Sequence, residues 1–238
     1  MTLTGWFTQR EVRFEAYSAE HLLLLLIFAV GAVVMVVGGR RLREAAATAS
    51  IRRAFAALIA VAGLLNLGFN LTPADYDLDT SWPFQLCDLA TVAAVVALWT
   101  QSARASAFLY YVGLTLTIQG ILTPSLYQAF PDPRYLCFWV LHFGVVWAAV
   151  FLTWGIGVRP TWRGYWFSVT VTAVWAVAAF VFNAIAETNY GYLNAKPSTA
   201  SALDLLGPWP MYVVVEVALL AGVWALMTWP WARGRVPR

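Results

Sequence analysis

Cys87 and His142 are the side chains in this sequence best suited to nucleophilic chemistry. A thiolate attacks an acyl carbon, and an imidazole takes and returns the proton the thiol gives up. Cys87 follows Pro83, a natural first-turn residue of a helix. The thiol is therefore expected within a turn or so of a helix start, where backbone N–H groups favour the thiolate. Asp88 beside it opposes that effect. Cys87 and His142 fall on different segments, so the fold must bring them together. Cys137, the second thiol, is expected to be inert and buried. Two cysteines do not make a disulfide framework, although one bridge between them is compatible with the sequence. No metal-ligand spacing and no cofactor motif is present, so neither a metal nor a cofactor is expected.

The elements that carry these residues are expected to be membrane helices. Hydrophobic residues make up 61% of the 238 and charged residues only 11%, against about 25% charged in a soluble domain. A soluble fold could not cover its surface with so few charges; lipid tails remove that need. The formal charge of +3 gives no reason to expect nucleic acid. Seven runs approach or reach the roughly 17–25 apolar residues a spanning helix needs. They are about 21–38, 54–71, 84–100, 105–122, 135–156, 164–186 and 209–229. The runs are continuous and not alternating, which favours helices over a barrel. The expected fold is all-α, a bundle of seven transmembrane helices forming a single integral membrane domain over 1–238. The first run follows a mixed-charge segment (Glu11, Arg13, Glu15, Glu20) and ends in Arg40-Arg41-Leu42-Arg43. That reads as a stop-transfer flank, not a cleaved leader.

Basic residues set the expected orientation. Arg40, Arg41, Arg43, Arg52, Arg53, Arg104, Arg159, Arg163, Arg233, Arg235 and Arg238 fall on one side; Arg10, Arg13, Arg134 and Lys196 fall on the other. The positive-inside rule puts the larger set in the cytoplasm, with the N-terminus outside. Polar groups within the spans are costly and mark function by default. His21, Asn66, Asn70, Gln85, Asp88, Gln119, Asn183 and Glu216 all lie in the outer halves, as does His142, roughly 10 Å into span five. Few ionisable or amide groups lie in the cytoplasmic halves. One polar cavity open toward the outside is expected. The plainer readings are interhelical hydrogen bonds for the amides, an interfacial solvated His21, and a helix-start carboxylate for Asp88.

Four segments carry a family resemblance. Trp82-Pro83-Phe84-Gln85-Leu86-Cys87-Asp88 looks like the Leu-Pro-x-His-x-Cys-Asp motif of the YwaF family of bacterial integral membrane proteins. Phe138-Trp139-Val140-Leu141-His142 resembles its span-five histidine segment. Asn189-Tyr190-Gly191-Tyr192-Leu193 to Lys196-Pro197, and Ser201 through Leu206-Gly207-Pro208-Trp209-Pro210-Met211-Tyr212, resemble its outer-loop signatures. His21 matches a histidine often found at the start of that family's first span. A vertebrate transmembrane relative is regarded as a cysteine acyltransferase that loads polyunsaturated acyl chains onto lysophospholipids; more distant relatives are hydrolases pairing a threonine with a histidine. The resemblance implies Cys87 as nucleophile and His142 as base. Gln85 departs from the family, which often has histidine there.

The expected function is a membrane lipid acyltransferase or acyl-ester hydrolase in a bacterial plasma membrane. Its partners would be membrane lipids, a lysophospholipid and an acyl donor among them. Asn183 or a backbone N–H would stabilise the oxyanion, and Asp204 or Glu216 would orient a histidine. A small-solute transporter or channel, using Asp88, His142 and Glu216 as a relay, is the alternative; a non-enzymatic scaffold or receptor is a third.

Overall fold

The computed structural model describes residues 13–73, 75–197 and 201–233. Arg10, Glu11, Arg235 and Arg238, used above, lie outside the described residues. Seven long helices follow in order: α1 (Ala19–Leu42), α2 (Thr48–Asn70), α3 (Leu86–Thr100), α4 (Ala103–Leu122), α5 (Pro133–Val150), α6 (Trp162–Ala186) and α7 (Met211–Arg233). A π-helical turn, Phe151–Ile156, prolongs α5. No strand occurs among the described residues. The protein is an all-α polytopic membrane protein: α1, α2, α4, α5 with its π turn, α6 and α7 are long and apolar enough to cross a bilayer.

The third expected span is the exception. α3 has 15 residues, about 22 Å at 1.5 Å per residue, against roughly 30 Å of hydrocarbon. The helix starts at Leu86, with Gln85 extended (φ −73°, ψ 152°) as its N-cap. Pro83 therefore precedes the helix and is not in its first turn, whereas Cys87 is. The C-terminal end of α3 reaches the arginine-rich end of the bundle, where Arg52 Nη1 donates to Leu98 O at 2.5 Å. The missing turns are thus at its beginning, and Cys87 sits below the level at which a full-length helix would start.

α4 and α5 form the centre, with α2, α3 and α6 packed around them. Ala90, Ala93, Ala94 and Ala97 bury one face of α3; small residues let backbones approach where no hydrophobic effect drives helices together. Leu109, Tyr111 and Val112 of α4 and Trp224 of α7 are almost wholly buried in the same core. By contrast α1 fully buries only His21 and Gly39; Leu24 and Leu25 pack on the core while Leu22, Leu23 and Leu26 face outward.

The arginines at one end make structural contacts. Arg43 donates through Nε and Nη2 to Gly155 O (3.0 and 2.7 Å). Arg40 Nε reaches Trp154 O at 3.3 Å. With Arg52 they satisfy carbonyls that a helix C-terminus leaves without partners, where a cation also meets the helix dipole favourably. The forked guanidinium explains the preference for arginine over lysine there. Nearby, hydroxyls and indoles lace α4 to α7: Tyr111 Oη and Thr228 Oγ1 are 2.7 Å apart, Trp224 Nε1 donates to Thr115 Oγ1 at 3.1 Å, and Trp231 Nε1 to Tyr110 Oη at 3.2 Å. The sparse polarity expected for this half holds for ionisable and amide groups alone.

α1 is seated on the π turn through two glycines. A Cβ on Gly39 would lie 2.6 Å from Gly155 Cα, while nothing lies within 4 Å of one on Gly38. Gly39→Leu is expected to destabilise the protein by about 1–3 kcal/mol through overpacking. Gly38→Leu, facing open space, should leave the unfolding midpoint of the detergent-solubilised protein near that of the unsubstituted chain. Equal midpoints for the two variants would refute the seat.

Candidate functional site

The first turn of α3 is pinned by Asp88, whose Oδ2 accepts the Gln85 N–H at 2.9 Å. Cys87 stands beside it, half-buried and unpaired with Cys137. One turn on, Thr91 Oγ1 donates back to Cys87 O at 2.9 Å. From α5, His142 presents its ring. Nδ1 is 2.8 Å from Phe138 O, and the imidazole stacks on the Phe138 ring (centroids 4.0 Å apart, planes 27°). A carbonyl only accepts, so Nδ1 is assigned the hydrogen, and a neutral ring then keeps its lone pair on Nε2. Nε2 has no hydrogen-bond partner among the described residues. Gly120 of α4 makes room for that edge: a Cβ there would come within 2.8 Å of His142 Cδ2 and Nε2.

Cys87 and His142 line one cavity of about 70 Å³, with Asn66, Asp88, Thr91, Phe138 and Leu141. Every lining residue keeps some exposed surface. The space fits a few waters or the ester end of a lipid, not an acyl chain. Gly63, one turn before Asn66 on α2, packs beside two of the lining residues; a Cβ there would be 3.5 Å from Thr91 Cγ2 and 3.9 Å from Leu141 Cδ2.

The other sequence candidates do not converge on this cavity. His21 is fully buried, not solvated. Its Nδ1 accepts the Tyr17 N–H and its Nε2 pairs with Ile121 O, both at 2.9 Å, so both nitrogens brace α1 against the end of α4. Asn183 is buried and tied to the loop: Nδ2 donates to Tyr190 O (2.9 Å), and Oδ1 accepts from Tyr190 N (2.8 Å) and Thr188 Oγ1 (2.9 Å). It is not an oxyanion donor for Cys87. Gln85 turns to the loop, where Oε1 accepts the Gly191 N–H at 3.1 Å; the departure from histidine thus falls on a side chain that holds a loop. Asp204 accepts from Ser201 N at 2.9 Å and faces Lys196 at 3.8 Å, so it orients no histidine. Asn70 and Glu216 are half-buried, and Gln119 is exposed; none lines the cavity. Depth along the membrane groups all these residues, but direction around each helix axis separates them. Thr91, Phe138, Leu141 and Gly120 escaped the sequence reading. The available signal was helical spacing, Thr91 four after Cys87 and Phe138 four before His142.

The motif-rich loop has a positional task. Tyr190 is fully buried; its hydroxyl donates to Leu78 O (2.7 Å) and accepts from Trp82 N (3.1 Å). Burial pushes its phenol above the ordinary range, keeping it a donor. Trp175 Nε1 donates to Phe84 O at 3.0 Å. Gly191 takes φ +70° directly over the Trp175 ring, where a Cβ would collide. Tyr212 donates to Tyr192 O, and Trp209 Nε1 to Leu193 O at 3.0 Å. Outside the spans, Arg134 joins Asp75 (2.5 Å) to Asp132 (2.9 Å), holding the Asp132 carboxyl below its usual range by hydrogen bonding. No group of three or more potential metal ligands occurs among the described residues.

The model of the TMEM164 family matches residues 16–228, from before α1 to near the end of α7. The chain belongs to the TMEM164 family. No curated protein and no solved structure matches it. The family supplies the membrane assignment, and the bacterial YwaF proteins remain a resemblance.

Two measurements follow for this TMEM164-family protein. Iodoacetamide should label Cys87 in the folded protein and reach Cys137, 7% exposed, only after unfolding; the reverse order would contradict the placement of the two thiols. Tyr190→Phe leaves Leu78 O and Trp82 N without their partner, which costs about 1–3 kcal/mol. A lower thermal midpoint with unchanged helical circular dichroism is expected.

Proposed function

We propose that this protein is a membrane lipid acyltransferase or acyl-ester hydrolase working through a thioester on Cys87. One observation carries the reading: the imidazole nitrogen of His142 that lacks a partner and the half-buried Cys87 thiol belong to residues lining the same cavity. His21, the other histidine, has both nitrogens engaged. His142 Nε2 takes the thiol proton as Sγ bonds to the acyl carbon. The carbonyl π pair moves to oxygen. When the ester C–O bond breaks, the departing oxygen takes the proton from Nε2. A second hydroxyl, from a lysophospholipid or from water, then repeats the sequence on the thioester. Phe138 holds the ring through its carbonyl and its stacked face.

The cavity's size supports a membrane-resident substrate. About 70 Å³ admits the reacting ester while the chains stay in lipid. Orientation is part of the proposal: the arginine-rich end lies in the cytoplasm, the cavity in the outer half, and all seven helices cross a bacterial plasma membrane as one domain.

The test uses purified protein in nanodiscs containing a phospholipid with a labelled acyl chain and an unlabelled lysophospholipid. The unsubstituted protein should move the label to the lysophospholipid or release it. Cys87→Ala should fall to background. His142→Gln should lose about 10²–10⁴ in rate, the usual contribution of a positioned base, while Cys137→Ala stays active. Label retained on Cys87 and released by hydroxylamine would mark the thioester. Full activity in Cys87→Ala would overturn the reading.

A further inference from the structure

We infer that the side-chain amide of Asn66 is the oxyanion donor of this site. The inference rests on the Cys87–His142 reading and adds the group that receives the carbonyl oxygen. Thiolate attack turns a neutral carbonyl into an oxyanion inside hydrocarbon, where an unpaired charge is very costly. A donor already aimed into the cavity is required.

The lining residues can be taken in turn. Phe138 and Leu141 are apolar in side chain. Asp88 is an acceptor, engaged by Gln85 N–H. The Thr91 hydroxyl hydrogen is spent on Cys87 O, and the His142 Nδ1 hydrogen on Phe138 O. Nε2 is needed as the base. Asn66 alone in this lining brings side-chain N–H groups with no hydrogen-bond partner among the described residues. Its carboxamide carries two such donors and cannot give up a proton. It comes from α2, across from the α3 nucleophile, and Gly63 seats that stretch of α2 against Thr91 and Leu141. Asn183, the amide expected for this task, is bound to Tyr190 and Thr188 instead.

Asn66→Leu keeps the side chain's size and removes both donors. In the nanodisc assay kcat is expected to fall about 10²–10³-fold, the loss typical of one oxyanion donor, with KM little changed. The rate at which iodoacetamide alkylates Cys87, a displacement with no oxyanion, should match that of the unsubstituted protein. Asn66→Ala, which empties space instead of filling it, should give the same kcat loss and covers the case in which leucine disturbs folding. Retention of kcat in both variants overturns the inference. So does a parallel fall in alkylation, which would mean that Asn66 seats the thiol. Cys87→Ala run alongside separates the two ideas, because activity surviving there removes the thioester reading itself.

Discussion

A backbone amide cannot go unpaired in hydrocarbon, and α3 begins too late to pair the chain that leads into it. That requirement organises the cavity end of the molecule. The approach to α3 from Leu78 to Gln85 is irregular; some of its backbone groups are met locally, and Leu78 O, Trp82 N and Phe84 O by side chains from far along the sequence. Tyr190 bonds Leu78 and Trp82, Trp175 bonds Phe84, and Gln85 returns a bond to Gly191. Asn183 in turn holds Tyr190 by both its backbone groups. The late start of α3, the buried phenol and the buried amide are one arrangement. Its result is that the turn carrying Cys87 is fixed at a depth no straight full-length helix would give it.

The other end answers the same constraint differently. There the helices stop cleanly, and arginine forks from α1 and α2 satisfy their last carbonyls. The Gly39–Gly155 approach brings α1 close enough for Arg43 to reach. Tyrosine, threonine and tryptophan then tie α4 to α7. Buried polar atoms without a partner remain at this end too, Arg52 Nε and Ser106 Oγ among them, whereas the unpartnered groups of Asn66 and His142 share one cavity.

Much of this was legible beforehand. Long apolar runs located every helix, though the start of α2 at Thr48 precedes its run by six residues, and Cys87 and His142 stood out as a thiol and an imidazole in the outer halves of their spans. What hydropathy cannot encode is rotation. Asn66 and Asn70 differ by one turn, yet only Asn66 lines the cavity. His21 reads as interfacial and His142 as deep in its span, but their partners decide: they make one a buried strut and leave the other with a lone pair. The start of α3 was misjudged because Phe84 and Gln85 read as the edge of an apolar run. Their preference for loop contacts depends on Trp175 and Gly191, a hundred or so positions away. Hydroxyls and indoles were overlooked at the arginine-rich end because they count as apolar or neutral on any hydropathy scale.

The shortness of α3 also acts outward. Val92, Val96 and Trp99 are exposed, so this helix meets lipid along one flank. Its apolar wall there is about 22 Å tall beside a hydrocarbon layer of roughly 30 Å. A bilayer meets such a mismatch by thinning. Lipids bordering α3 therefore carry their glycerol region deeper than lipids elsewhere around the bundle, toward the level of Cys87. Cys87, three and seven positions before Ala90 and Ala94, stands on the opposite, packed face of the same helix, so the side of α3 that meets lipid is not the side that carries the thiol.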